Sequence, residues 1–484
     1  MSLVLRNARI VGGPDEPVDL RSRHGVIVEL GHGLEASAVV DLGGRWVAPG
    51  LWDGHVHSGQ AALAAHRLDV STAGSAAEVA SLVRDRVEAA PPAAGEVLVG
   101  TGFRDGLWPD APSLELLDAG PHAVALISGD VHCVWSNRAA LRIAGRPESD
   151  WLLREQAAFD LNVELSRVDA ATLDRWILEL AAAAARRGVV GIRDLEMDDA
   201  PAAWARRVTD GFRGLRVAAG VYPTGLDTAV AAGWRTGEAV EGTGGLVEVG
   251  HYKLFADGSL NTRTAWCDEP YPGTDDAGLP AWEPGGLLAE ARRALAAGLA
   301  PTIHAIGDRA VAEALDVFEE LGAPGRIEHA QLVRDADLPR FAALGVVASV
   351  QPEHAMDDRD VADRYWAGRT ARSFPYRALL DAGATIELGS DAPVAPLDPW
   401  VAIAAAVTRS RDGRPAWHPE QGITAAEALT ASTRSAVALA HPADLVVLDA
   451  DPLAAESLAS GGAALRGMPV AGTLVAGEWS YFAM

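Results

Sequence analysis

The chain has 484 residues, 49% of them hydrophobic, enough for two or three ordinary cores or for one large barrel with additions. A formal net charge of −25, from 41 basic against 66 acidic residues, argues against nucleic acid or an anionic membrane as partner. Two cysteines, Cys133 and Cys267, exclude a disulfide framework; with no signal-peptide pattern and no apolar run long enough to span a membrane, a cytoplasmic protein is expected.

In chain order, apolar or alternating runs over 3–10, 25–30, 39–42 and 46–49, separated by glycine turns, predict strands of a small antiparallel sheet. Gly50-Leu51-Trp52-Asp53-Gly54-His55-Val56-His57 then reads as a buried strand ending in two histidines that share a face. Ser75 and Glu78 form a capping-box pair that opens a helix over 75–88. Strands at 96–100 and 123–127 and a helix over 137–144 follow without a regular rhythm. Residues 58–170 are therefore expected to form an insertion with its own core.

From residue 171 the rhythm is regular. A helix over 173–187, capped by Gly188, precedes strand-like runs over 189–195, 215–222, 247–255, 300–306, 326–331, 346–351 and 384–388, with helical stretches such as 287–297 and 308–321 between them. With the strand ending at His57 these make eight, which predicts an α/β fold, a (β/α)8 barrel spanning 49–440. A helix from Thr424 to about Leu439 leads to strands over 444–449, 470–475 and 478–482. Residues 1–48 and 441–484 each hold too few strands to stand alone, so together they are expected to build one composite β-sandwich.

Catalytic groups of a parallel barrel gather at the C-terminal strand ends. There the chain places His55 and His57, Lys253, His304, His329 and Asp391. Imidazole and carboxylate suit zinc and similar ions. A buried lysine has a depressed pKa, and its neutral amine can capture CO2 as a carbamate that bridges two cations. Two divalent metal ions, zinc first, and a carbamylated Lys253 are thus expected. A metal-bound hydroxide would attack the substrate, and Asp391 would serve as general base and then acid. Singly, each residue has an ordinary reading: Lys253 paired with Asp257, His304 beside Asp308, His329 paired with Glu328. The recurrence of ligand types at successive strand ends favours the site.

The run Ala48–His57 resembles the signature strand of the amidohydrolase superfamily. Stretches 128–141, 253–265, 304–308, 326–331, 350–354 and 388–394 resemble its YtcJ-like amidohydrolase 3 branch. The resemblance implies a barrel with a composite sandwich and a binuclear centre on His55, His57, Lys253, His304, His329 and Asp391. It also implies hydrolysis of a non-peptide amide or other C–N bond in a small molecule, and is compatible with a homodimer. A mononuclear deaminase of the same superfamily and a non-catalytic homologue are the alternatives. The chain departs from the family pattern at Val437–Pro442, where the loop before the C-terminal strands is short. Further candidates for holding substrate are Trp108 and His132 of the insertion, Arg263 after the fourth strand, His354 after the seventh and Arg377 before the eighth. No basic cluster in the sequence suggests a multiply anionic substrate.

Overall fold

A computed structural model of the chain describes residues 2–484 apart from 94 and 459. Eight parallel strands form one sheet: β1 (Leu51–Val56), β2 (Val189–Asp194), β3 (Arg216–Val221), β4 (Val247–Phe255), β5 (Pro301–Ala305), β6 (Arg326–His329), β7 (Val347–Val350) and β8 (Ile386–Leu388). Each pairs with the next in sequence. Strands covered on both faces read as near-continuous apolar runs, and the expected boundaries of β2–β8 hold to within two residues at either end.

The sheet nearly closes between β8 and β1. Val56 bridges Ala392, and the Asp391 amide donates to the His55 carbonyl oxygen at 2.7 Å. Gly389 permits this approach, because a Cβ there would lie 2.7 Å from the His55 amide nitrogen. Helices wrap the barrel. In Asp308–Leu321 the pairs Ala310/Ala314, Val311/Leu315 and Ala314/Phe318 stack on one buried face, and Gly322 at φ 61° ends the helix. Phe318→Ala would empty that face at a cost of about 3–5 kcal/mol.

After β1 the chain lays a helix, Ser58–Ala65, on the barrel core through Ala61 and Ala62. It packs against the alanine-rich helix Ala170–Ala185, which Asp169 caps by accepting from the Thr172 amide. Between them lies a five-stranded sheet of 68–69, 97–103, 123–128, 133–136 and 152–154. Its own core includes Val79, Val83, Phe103, Leu126 and Trp135.

Strands Ser2–Ile10, Val18–Arg23, Val26–Gly31, Ala38–Asp41 and Trp46–Pro49 join Leu445–Leu448, Val470–Val475 and Glu478–Phe482 in one assembly, the β-sandwich. The two chain ends meet where Trp46–Pro49 pairs antiparallel with Leu445–Leu448, over a core that includes Leu5, Val47, Leu445 and Val447. The sheet is mixed rather than antiparallel. Ala38–Asp41 and Trp46–Pro49 both run parallel to the first strand, which breaks at Asn7 (φ 56°) and pairs with them through different halves.

The short stretch before the C-terminal strands is well held, since Ile27 donates to the His441 carbonyl and accepts from the Ala440 amide, both at 2.9 Å. The helix expected over 424–439 is shorter, Ala425–Ala431. Its capping box forms, but the Ser432 carbonyl accepts the Trp52 amide at 2.7 Å and Thr433 bridges Leu51, so strand pairing replaces further helical turns. No helix among the described residues is long and apolar enough to cross a membrane.

Candidate metal centre

The C-terminal ends of the strands converge on one cavity of about 780 Å³, part of it open to solvent, lined by His55, His57, Lys253, His304, His329 and Asp391 among others. His329 closes β6 at φ 76° and Asp391 follows β8 at φ 57°. Non-glycine residues in the left-handed region are uncommon and gather at functional sites. Here the turned backbone marks two strand ends whose side chains enter the cavity.

Asp391 is central. His55 Nε2 and His57 Nε2 each lie 3.3 Å from its Oδ1, and His354 Nε2 lies 3.7 Å from its Oδ2. The His329 ring stands 5.1 Å from that of His55, 4.4 Å from His304 and 5.8 Å from His354, between centroids. Two donor sets result, each with its ligand atoms within 4.8 Å of one another: His55, His57 and Asp391, and His329, His354 and Asp391.

Among the described residues, the buried atoms His55 Nε2, His57 Nδ1, His329 Nδ1 and His354 Nε2 have no hydrogen-bond partner. Buried polar atoms left unpaired are costly and rare. A divalent cation that takes imidazole and carboxylate lone pairs answers those of the set that face Asp391, His55 Nε2 and His354 Nε2.

The electrostatics agree. Burial first, then the Lys253 charge, brings His55 down to about 4, and the same causes bring His304 to about 3. Both rings are therefore neutral near pH 7, as metal ligation requires. Burial alone would raise Asp391, but His55, His57 and His329 around it hold it well below the carboxylate range. Burial opposes charge on His57, yet the adjacent Asp391 more than offsets this and raises it. Glu328 Oε2, 2.9 Å from His55 Nδ1, orients that ring so that Nε2 faces Asp391.

Lys253 is buried and, among the described residues, its ammonium makes no hydrogen bond and has no carboxylate within 4.0 Å; the Phe255 ring centroid lies 5.3 Å from its Nζ. The pairing with Asp257 does not form, because Asp257 instead accepts the amides of Trp266, Ile306 and Gly307 at 2.8–3.0 Å. Burial brings the Lys253 ammonium down to about 8. Nor does His329 pair with Glu328. Successive residues of a strand face opposite ways, so Glu328 turns from His329 and joins Arg326 and Thr302 inside the barrel.

The remaining expectations divide. His354, expected to hold substrate, lines the cavity and also stands at Asp391. Pro352 starts the helix Pro352–Tyr365 directly after β7, and its first turn carries His354 back over the cavity. His304 lines the cavity but belongs to neither donor set, since its Nε2 faces the Gly258 carbonyl at 3.1 Å. Trp108 packs into the insertion's own core, 6.0 Å from the Phe103 ring. Arg263 is exposed and lies over Tyr365. Arg377 pairs with Glu427 and Asp381. None of these three lines the cavity.

The model of the amidohydrolase family matches residues 38–481. The chain belongs to the amidohydrolase family. The putative amidohydrolase YtcJ of Bacillus subtilis is 32% identical over 235 residues, 44% of each chain. The N-substituted formamide deformylase of Arthrobacter pascens is 25% identical over 480 residues, covering 86% of this chain and 85% of that one. A solved structure, an uncharacterized metal-dependent hydrolase from Pyrococcus horikoshii, superposes with a TM-score of 0.78 at 26% identity, over 94% of this chain and 98% of its own. The chain is thus a metal-dependent hydrolase of this superfamily, with His/Asp groups placed to bind the metal.

In this amidohydrolase the insertion supplies the roof of the cavity. His132 lines it, with Nδ1 held 2.8 Å from Glu155 Oε2. Glu155 in turn accepts the Thr264 hydroxyl at 2.9 Å, and Asp130 accepts the Ser259 hydroxyl at 3.1 Å. Insertion and post-β4 loop are therefore tied together at the cavity that Lys253 also lines. Val131 (φ 59°) and Glu155 (φ 49°) flank this contact in strained conformations. In the sequence only the Ser128–Leu141 run pointed here; Glu155 carried no local signal.

Proposed function

We propose that this chain hydrolyses a small amide or another non-peptide C–N bond with two divalent cations, zinc the best match to the donors, and a carbamylated Lys253. One observation carries the reading: a buried lysine with no carboxylate within 4.0 Å lines the same cavity as two donor sets that share Asp391. The likeness to an N-substituted formamide deformylase supports the C–N bond.

His55, His57 and Asp391 would hold one cation, His329 and His354 the other, with His304 beside them. The neutral Lys253 amine would add to CO2, forming one N–C bond and releasing one proton, and so would offer carbamate oxygens as ligands. When bound, the cations supply Lewis acidity and lower the pKa of water. Asp391, deprotonated at neutral pH, accepts the proton of the attacking water at Oδ2 and returns it to the leaving nitrogen. Val131, Phe159 and Leu260 exclude bulk water from the roof side.

The alternative, a mononuclear deaminase of the same superfamily, would use the histidines and Asp391 without a bridging Lys253. Lys253→Ala separates the two readings, in a screen of N-formyl, N-acyl and cyclic amides with metal-loaded protein. The binuclear reading predicts loss of both metal and turnover, with partial rescue by a short carboxylic acid. Retention of metal and rate would overturn it.

A further inference from the structure

A second, larger chamber adjoins the metal cavity where the insertion meets the barrel. It encloses about 1580 Å³ of space, part of it open solvent, between helix Ser58–Ala65, insertion strand 97–103 and the loop after β8. The two cavities share Arg104, Pro393 and Val394 as a partition. Arg104 donates to the Val394 carbonyl at 3.1 Å and pairs with Asp357 at 3.0 Å. Gly129 leaves room for it, since a Cβ there would lie 3.1 Å from Arg104 Nε.

The chamber inverts the charge of the molecule. In a chain of net charge −25 it gathers four arginines, Arg67, Arg104, Arg411 and Arg466, from segments far apart in sequence. Glu353 and Asp357 serve three of them: Arg411 lies 2.7 Å from each, Arg466 lies 3.0 Å from Glu353, and Arg104 takes Asp357. Asp69, the third carboxylate of the lining, is exposed and accepts the Ser71 amide at 2.8 Å. Arg67 is left over. Among the described residues its one side-chain hydrogen bond goes to the Ser166 hydroxyl at 2.8 Å, and no carboxylate lies within 4.0 Å. Burial lowers it to about 10 with no charged neighbour acting on it. A half-buried guanidinium without a counterion is a strong donor waiting for an acceptor, and its fork matches a carboxylate or phosphate.

We propose that this chamber binds a small organic anion, whose carboxylate or phosphate pairs with Arg67. The apolar floor of Ala61, Ala64, Leu180 and Val401 accepts the carbon part of such a molecule. Small side chains on that floor leave the volume a ligand of this size needs.

The test is calorimetric titration of the metal-loaded full chain with succinate. Wild type is expected to bind it. Arg67→Gln should weaken binding by about tenfold or more, the worth of a charge-assisted pair, and Arg67→Lys by less. Ala64→Phe, which narrows the chamber while keeping the Arg67 guanidinium, should weaken it too. Metal content measured alongside, and unchanged, removes the metal centre as the source of the difference. Equal binding in wild type, Arg67→Gln and Ala64→Phe, or no binding by wild type at millimolar succinate, overturns the proposal. Binding needs no turnover, so this result is independent of the hydrolase reading. With an uncharged amide as substrate, competition by succinate would mark the anion as the far end of the natural substrate. A rate change without competition, lost in Arg67→Gln, would mark a separate effector.

Discussion

Two polar clusters occupy the same barrel and differ in one respect. In the interior the charges are matched. Arg193 Nε lies 3.0 Å from Glu387, Arg326 pairs with both Glu387 and Glu328, and the Thr302 hydroxyl donates to Glu328 at 2.6 Å. At the mouth, each of the four histidines His55, His57, His329 and His354 has a buried ring nitrogen with no hydrogen-bond partner among the described residues, and Lys253 has no carboxylate within 4.0 Å. Matched charges hold strands together. Unmatched ones are kept only where something else completes them. Glu328 belongs to both clusters, anchored on Arg326 and turned to His55.

The largest effect that would sharpen this contrast belongs to the mouth. Asp391→Asn should lower kcat/KM by about 10²–10⁴-fold, the usual worth of a positioned acid–base group. Thermal unfolding of the metal-free protein should change little, because Asp391 is not part of the interior network. A parallel collapse of stability would break the distinction.

Arg326→Met reverses the expectation. It leaves Glu328 and Glu387 short of a buried partner, which should cost about 3–5 kcal/mol of stability. Urea denaturation measures it; an unchanged midpoint would show that the interior network is dispensable.

Acid separates the clusters as well. Burial alone would raise Glu387, but Arg193 and Arg326 bring it down from the ordinary 4.5 to about 2. Because the folded value is the lower one, the unfolded chain binds the extra proton, and stability falls as pH drops. This contribution is complete above about 4.5 and disappears between about 4.5 and 2. Stability measured across that window should fall less steeply for Glu387→Gln than for wild type. Parallel curves would contradict the assignment.

The smallest effect is expected outside both clusters. Arg377→Ala removes a partly exposed pair with Glu427 and should cost less than about 1 kcal/mol, with kcat/KM unchanged. A large loss of activity would return Arg377 to the site.

Much of this contrast was legible in the sequence, for identifiable reasons. The barrel strands are apolar runs because both their faces are covered, and His55, His57, His329 and Asp391 stand at their ends, where the fold gathers side chains. Three things were not legible. Parallel pairing of Ala38–Asp41 with the first strand depends on a break at Asn7 that local propensity does not encode. The first turn of a helix decides whether His354 faces a substrate or Asp391, and only the direction of that turn in space settles it. Arg67, Arg104, Arg411 and Arg466 meet only through the fold, so no basic cluster shows along the chain. Glu328 entered only as an ordinary partner for His329, and strand alternation sends those two side chains to opposite sides.

The contrast rests on the claim that the mouth is built for metal. The most direct measurement is metal content per chain, by elemental analysis of folded wild type and Asp391→Asn purified without chelator. The account predicts close to two divalent ions per wild-type chain and clearly fewer in the variant, because Asp391 belongs to both donor sets. Folded wild type with less than one ion per chain after incubation with zinc would contradict it.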